Sequence, residues 1–501
     1  MENKLRIGWA AVDITPDRPV YLAGQLYVRV SRYVHDPITA SALALDNGDQ
    51  QAVFVSMDTV AVPDFLTAEI RCRLAERKGP DPARVSLCAT HTHTSSRFSV
   101  VGNETLVRYM GSDKIDTPEA PENILCGEEG RQYLADRIES LIMDAWENRR
   151  EGSAGTAEDY AVVGFNRRPV FGTGDHESAK MYGDCSQASF LRFEGTTDPT
   201  VTVLYTWDEA GTLTGAAVNI PCPAQVMELH SFLSADYWHY ARKHIRERLG
   251  NIHILPLCGA AGDQNPLDLV RISKDNNEEL LRWGAQEEEV FRNFDMTGTC
   301  EAIGERIAEA VARGYRTALG RKWSRPVFAH RIVQKELPLR TVSEEEYREA
   351  EKIIRKFRGR FTQEHRMGMA DQRKLYGPVG IAERYALQQK GTSFPVELHI
   401  LRLQDAVFVT HPFELFTEYG LRIRAGCRAR CVFHIQLCNG YADYLPTRAA
   451  IWGGSYSSEP ASTYVGPNGG DLLAAGLTEE ANRLFGMHGT EKGGGSSDDF
   501  F

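Results

Sequence analysis

The chain of 501 residues is long enough for one very large domain or two to three ordinary ones, and its 42% hydrophobic and 25% charged content is that of a globular protein. Its net charge of −11, with lysines and arginines interspersed among acids, excludes a nucleic-acid footprint. No apolar run reaches the roughly 18 residues of a membrane span, and no apolar h-region follows the charges of MENKLR, so a cytoplasmic protein is expected.

The chain opens with IGWAAVDITP (7–16), an alternating strand closed by Pro16. ITASALALDNGDQQAVFVSMDTVAV (38–62) reads as two strands around Asn47-Gly48-Asp49, a strong hairpin signal, with Asp58 at the end of the second. A helix is expected over 64–79, then a short apolar strand from Val85 that ends in His91-Thr92-His93. Residues two apart on a strand share a face, so both imidazoles leave its end in one direction. That is half a metal site, since histidine is the commonest zinc ligand and strand ends fix ligand vectors; the alternative is a pair of strand-capping histidines bonded to backbone.

Residues 97–128 are polar and bear Gly and Pro, which predicts a long irregular loop over the site. After a helix at 130–149, YAVVGFNRRPVF (160–171) sets Asn166-Arg167-Arg168 at a strand end, where an arginine is either a surface charge or a clamp on a substrate oxyanion. A strand pair (200–222), the segment CPAQVMELHSFLSADYW (222–238), a helix (236–249) and the strand NIHILPLCGAAGDQNP (251–266) follow. A helical insertion at 267–300 and a helix at 302–319 come next.

From about 326 the pattern turns mainly β, interrupted by a helix at 343–359. Strands in 396–424 then feed a helix expected to carry Glu414 and Glu418. QLCNGYADYLPT (436–447) and a Gly-rich segment (452–477) are the last ordered motifs, and the tail 489–501 reads as disordered. Ten scattered cysteines, several inside apolar runs, fit buried free thiols in a reducing compartment better than a disulfide frame. Strand and helix alternation predicts α/β layers with chemistry at strand C-termini.

IGWAAVDITP, the His-Thr-His turn, NRR, SADY, GAAGDQNP, PFELFTEYG and YADYLPT occur in the order seen in neutral/alkaline ceramidases, and the chain resembles the catalytic domain of that family over nearly its whole length. The resemblance implies a layered mixed-sheet α/β catalytic domain over 1–488, with no counterpart of the family's C-terminal immunoglobulin-like domain. It also implies one zinc ion per chain. The family's ligands correspond to His91, Glu414 and Tyr444, its second turn histidine to His93, and its substrate-contacting arginine to Arg167.

Two departures from the family pattern stand out. Where it has a ligating histidine in C-H-P-T, this chain reads Cys222-Pro223-Ala224-Gln225, leaving His230, Glu228, Cys222 or Gln225 as replacements, with imidazole chemistry favouring His230. Where the family has a serine in G-D-V-S-P, this chain has Asn265, which is no nucleophile but can donate to an oxyanion. Asp263 beside it either orients a histidine or a water, or caps its own turn.

Three readings follow. The first is a zinc-dependent hydrolase in which activated water attacks an amide or sugar-linked bond of a polar small-molecule substrate, with His93, Arg167, Asp263 and Asn265 as catalytic groups. The second is an N-acylsphingosine amidohydrolase with a rearranged site, and the third a non-catalytic metal-binding relative. A homo-oligomer is compatible with all three.

Overall fold

The structure is a computed structural model, and it describes residues 3–98, 104–116, 118–173, 176–275 and 296–486. Its largest element is an eight-stranded sheet in the order His253–Cys258, Leu213–Ile220, Thr200–Asp208, Arg150–Tyr160, Arg6–Asp13, Thr39–Asp46, Gln51–Met57, Val85–Ala89. Neighbours are antiparallel except at the two edges: Leu213–Ile220 runs parallel to His253–Cys258, and Gln51–Met57 parallel to Val85–Ala89. A second sheet orders Phe328–Pro338, Ser393–Leu403, Ala406–Thr410 and Cys431–Ile435, the last two parallel.

Period-two patterning explains how the sheets stack. In the hairpin at Asn47-Gly48, Leu43, Leu45 and Phe54 face one way and Ala42, Ala44, Val53 and Val55 the other. The first set meets Leu401, Leu403, Phe408 and Phe433 of the second sheet in a shared core, where the Phe54 and Phe408 rings lie 5.3 Å apart. The second set is covered by the helices Leu66–Ala75 and Gly127–Glu147. Helices Tyr237–Leu249 and Thr297–Leu319 cover the rest of that face, and Thr417–Gly426 with Pro467–Gly486 cover the outer face of the smaller sheet. The result is helices, sheet, sheet, helices, the layered α/β arrangement anticipated from the pattern.

Several sequence expectations need correction. The segment 97–128 contains the helix Glu104–Met110, whose Leu106 and Met110 are buried against Leu375 and Val379. Those partners lie on a second unexpected helix, Met369–Gln388, where Gly377-Pro378 reads as a turn although Pro378 is accommodated inside the helix. Glu414 is not on a helix: it sits in the two-residue strand Glu414–Leu415, paired with Tyr444–Leu445, and Glu418 alone lies on the helix that follows. Of the expected insertion 267–300, the helix Leu269–Asp275 and the start of Thr297–Leu319 are seen, while 276–295 and the tail 489–501 lie outside the described residues. Among the described residues no helix is long and apolar enough to cross a membrane.

Candidate active site

Each parallel strand pair sends its C-terminal ends into loops, and these loops meet. The Thr92 amide donates to Thr59 O, His93 N–H to Ala224 O, Gly262 N–H to Leu415 O and Gln436 N–H to Cys258 O. Strand C-termini of an open parallel arrangement are where ligands bind, because side chains there are held by the sheet but not consumed by it. The site therefore draws its groups from both sheets.

His91 is the centre. Its backbone is left-handed (φ 63°), which turns the ring off the strand axis. Nδ1 lies 2.5 Å from the Val60 carbonyl, and since a carbonyl only accepts, Nδ1 carries the proton. Nε2 then faces Glu414 Oε2 at 3.1 Å and His93 Nε2 at 3.4 Å. Burial lowers the affinity of His91 for a proton, but the Glu414 carboxylate outweighs it and holds the ring above the ordinary histidine value. Glu414 answers in kind: burial would raise its pKa, yet His91, Arg167 and a 2.9 Å hydrogen bond from the Tyr441 hydroxyl bring it down to about 2.

His93 links this pair to the 222–230 segment. Its Nδ1 is 3.3 Å from Glu228 Oε2, and burial, only partly offset by that carboxylate, pushes its pKa down. Glu228 Oε2 also accepts from Gln225 Nε2 at 3.0 Å, and the same Gln225 nitrogen lies 3.0 Å from the Tyr182 hydroxyl. His230 stacks on Phe232 with ring centroids 4.8 Å apart, and its backbone carbonyl accepts from Arg29.

Arg167 is buried beside Tyr444, its guanidinium carbon 5.3 Å from the ring centroid, and it donates to the Gly262 carbonyl at 2.9 Å. The adjacent Arg168 is fully buried and ion-paired to Glu194, and it donates to the Tyr456 carbonyl, holding Tyr456 edge-on to Tyr444 at 5.5 Å. Asp263 has both oxygens engaged, Oδ2 by Asn166 at 2.9 Å and Oδ1 by the Thr417 amide and hydroxyl at 2.9 and 2.7 Å. It fixes the arginine loop to the start of the helix behind Glu414. Asn265 donates to the Tyr182 hydroxyl at 2.9 Å.

Tyr182, Tyr441, Tyr456 and Arg29 belong to this site but were not singled out from the sequence. Tyr441 stood within the YADY motif and could have been found there. Tyr182 adopts a left-handed backbone (φ 60°) in an irregular stretch, which spacing does not reveal.

The fit to zinc can be judged from the donors. In four-coordinate zinc, ligand atoms about 2.0–2.1 Å from the metal are about 3.3 Å from each other. The 3.1 Å between His91 Nε2 and Glu414 Oε2 matches that spacing, and an Nδ1–H held by a carbonyl is how a ligating histidine is usually oriented. Among the described residues, however, no three His, Cys, Asp or Glu side chains gather as a group that could hold a metal, so any further donor must be of another type.

No protein-family model matches the chain, and no curated protein is similar to it in sequence. Solved structures match it in fold. Neutral ceramidase from Pseudomonas aeruginosa superposes with a TM-score of 0.65 at 17% identity, covering 99% of this chain and 77% of that one. A ceramidase complexed with C2 gives 0.63 at 17% identity, covering 99% and 78%. The chain has the neutral ceramidase fold.

Proposed function

We propose that the protein is a zinc-dependent hydrolase acting on an amide or sugar-linked bond of a polar small molecule. The observation that supports this most is the His91 ring, locked by Val60 so that its Nε2 lies between Glu414 and His93. In this reading His91, Glu414 and the phenolic oxygen of Tyr444 would hold zinc, which when bound supplies the Lewis acidity that lowers the pKa of water.

The chain's own groups do the rest. His93, backed by Glu228, moves a proton at its Nε2, and its lowered pKa keeps the ring neutral and ready to accept one near neutral pH. Arg167 offers a fixed cation to the oxygen that gains charge as the bond breaks, and Asn265 acts beside it, donating to the hydroxyl of Tyr182, whose amide donates to the Arg167 carbonyl. Asp263 acts on position, through Asn166 and Thr417. From the 222–230 segment we assign the contribution to Glu228, through His93, in preference to the Phe232-stacked His230.

Metal analysis of protein purified from zinc-replete cells, paired with hydrolysis of a panel of N-acyl and glycosidic compounds, tests the reading. One zinc per chain, and turnover lost to a chelator and regained with zinc, is the expected result. Metal-replete protein without zinc, or turnover undiminished in His91→Ala, overturns it.

A further inference from the structure

Behind the site, two thiols far apart in sequence touch. Cys88 is on the strand that leads to His91, and Cys438 is on the segment that leads to Tyr441 and Tyr444. Their sulfurs are 3.6 Å apart, and both residues are buried and free. The two residues form an isolated antiparallel bridge. Its ladder bond comes from flanking residues, Asn439 N–H to the Leu87 carbonyl at 2.8 Å, so the cysteines are a non-hydrogen-bonded pair. In such pairs Cα atoms approach to about 4.5 Å, inside the range of about 4.4–6.8 Å that a disulfide spans.

The segment is also held there against backbone preference. Leu437 and Asn439, on either side of Cys438, both have left-handed backbones (φ 54° and 58°). For a leucine this conformation is disfavoured, because Cβ crowds the carbonyl oxygen that follows. Asn439 Oδ1 accepts from the Leu87 amide at 2.8 Å, and the Cys438 amide donates to His411 O. Together these contacts keep Cys438 opposite Cys88.

We propose that Cys88 and Cys438 are a redox pair, closing a reversible disulfide that staples the His91 strand to the segment carrying Tyr441 and Tyr444. A small-molecule disulfide is the oxidant. One cysteine thiolate attacks it, forming a mixed disulfide and releasing one small thiolate. The second cysteine then attacks the protein sulfur, forming the internal S–S bond and releasing the other, so two protein thiols are oxidised while one small disulfide is reduced to two thiols. The contact with Cys438, followed by burial, pushes the Cys88 thiol up, which makes closure slow and selective for long exposure to oxidant.

The full-length protein is equilibrated with oxidised glutathione below its melting temperature, quenched with N-ethylmaleimide under denaturing conditions, digested and mapped. The expected result is a peptide pair joined through Cys88 and Cys438, two fewer of the ten thiols reacting, and recovery with dithiothreitol. Amide exchange of both segments should slow in the oxidised protein. Both cysteines recovered as maleimide adducts, as glutathione adducts, or joined to other cysteines overturns the proposal. The assay uses wild-type protein, so it does not depend on whether a cysteine variant folds.

Discussion

Gln225 and Asn265 donate hydrogen bonds to one and the same acceptor, the hydroxyl of Tyr182, at 3.0 and 2.9 Å. Both stand in segments where the sequence departs from the ceramidase motifs it resembles, and one tyrosine joins them. Tyr182→Phe removes the shared acceptor while keeping the ring. We expect a loss of about 1–3 kcal/mol in urea unfolding, the cost of a buried hydrogen-bond partner. If the proposed function holds, turnover should fall through kcat more than through KM, because that reading has Asn265 act on the transition state.

Glu414→Gln tests the charge at the site centre without changing its size. The carboxylate is what holds His91 above its ordinary pKa, so the variant's His91 should titrate lower, as read by NMR of the ring protons. If the proposed function holds, zinc content should drop and hydrolysis should fall more than about 100-fold, since that reading makes Glu414 a ligand rather than an outer partner.

Arg29 is buried, and among the described residues no carboxylate is ion-paired to its guanidinium. It donates instead to the carbonyls of Glu228 (2.7 Å), His230 (2.6 Å) and His93 (2.6 Å), and to that of Ala23, riveting three loops around His93. Burial lowers its pKa to about 10. Arg29→Met should cost about 3 kcal/mol by chemical denaturation, and Arg29→Lys should rescue little of it, since an ammonium cannot reproduce the planar fork.

His330 supplies a pH-dependent term. Burial, followed by the neighbouring His399, pushes its pKa down to about 3, and Nδ1 is 3.0 Å from the Gln51 carbonyl. The unfolded chain binds this proton near pH 6.5 and the folded chain only near 3. Stability from this group is therefore complete above about pH 6.5 and is lost as pH falls through that window. His434, pushed down to about 3 by burial, acts in the same sense. Asp36 and Asp236, raised to about 6 by burial, oppose them below pH 6, because the folded chain binds those protons more tightly. In His330→Asn the other groups remain, so the fall in unfolding free energy from pH 7 to pH 5 should be smaller than in wild type by about 2 kcal/mol.

Much of the scaffold was readable because its rules are local. Alternation in 38–62 and the Asn47-Gly48 turn predict the hairpin seen, and strand ends mark where His91 and His93 emerge. The helix Met369–Gln388 was hidden because its Gly-Pro pair mimics a turn, while its stability comes from Leu375 and Val379 packing on distant residues. Glu414 was identified through family resemblance, but its seating on a two-residue strand depends on pairing with Tyr444, a long-range contact no window of sequence contains. Arg29 and Tyr182 escaped for the same reason. Their partners are backbone carbonyls and amide side chains brought together only by the fold.

His91 hangs from the edge of the large sheet and Glu414 sits in the two-residue strand that follows Ala406–Thr410 of the small one, so their 3.1 Å contact measures how the two layers are seated on each other. Anything that grips both side chains ties the layers together and is rewarded with folding free energy in proportion to RT ln(1 + [L]/Kd). The melting temperature of this protein is thus a gauge of what sits between its sheets. Ligand discovery can proceed by heating the protein in the presence of candidate compounds, before any reaction has been observed.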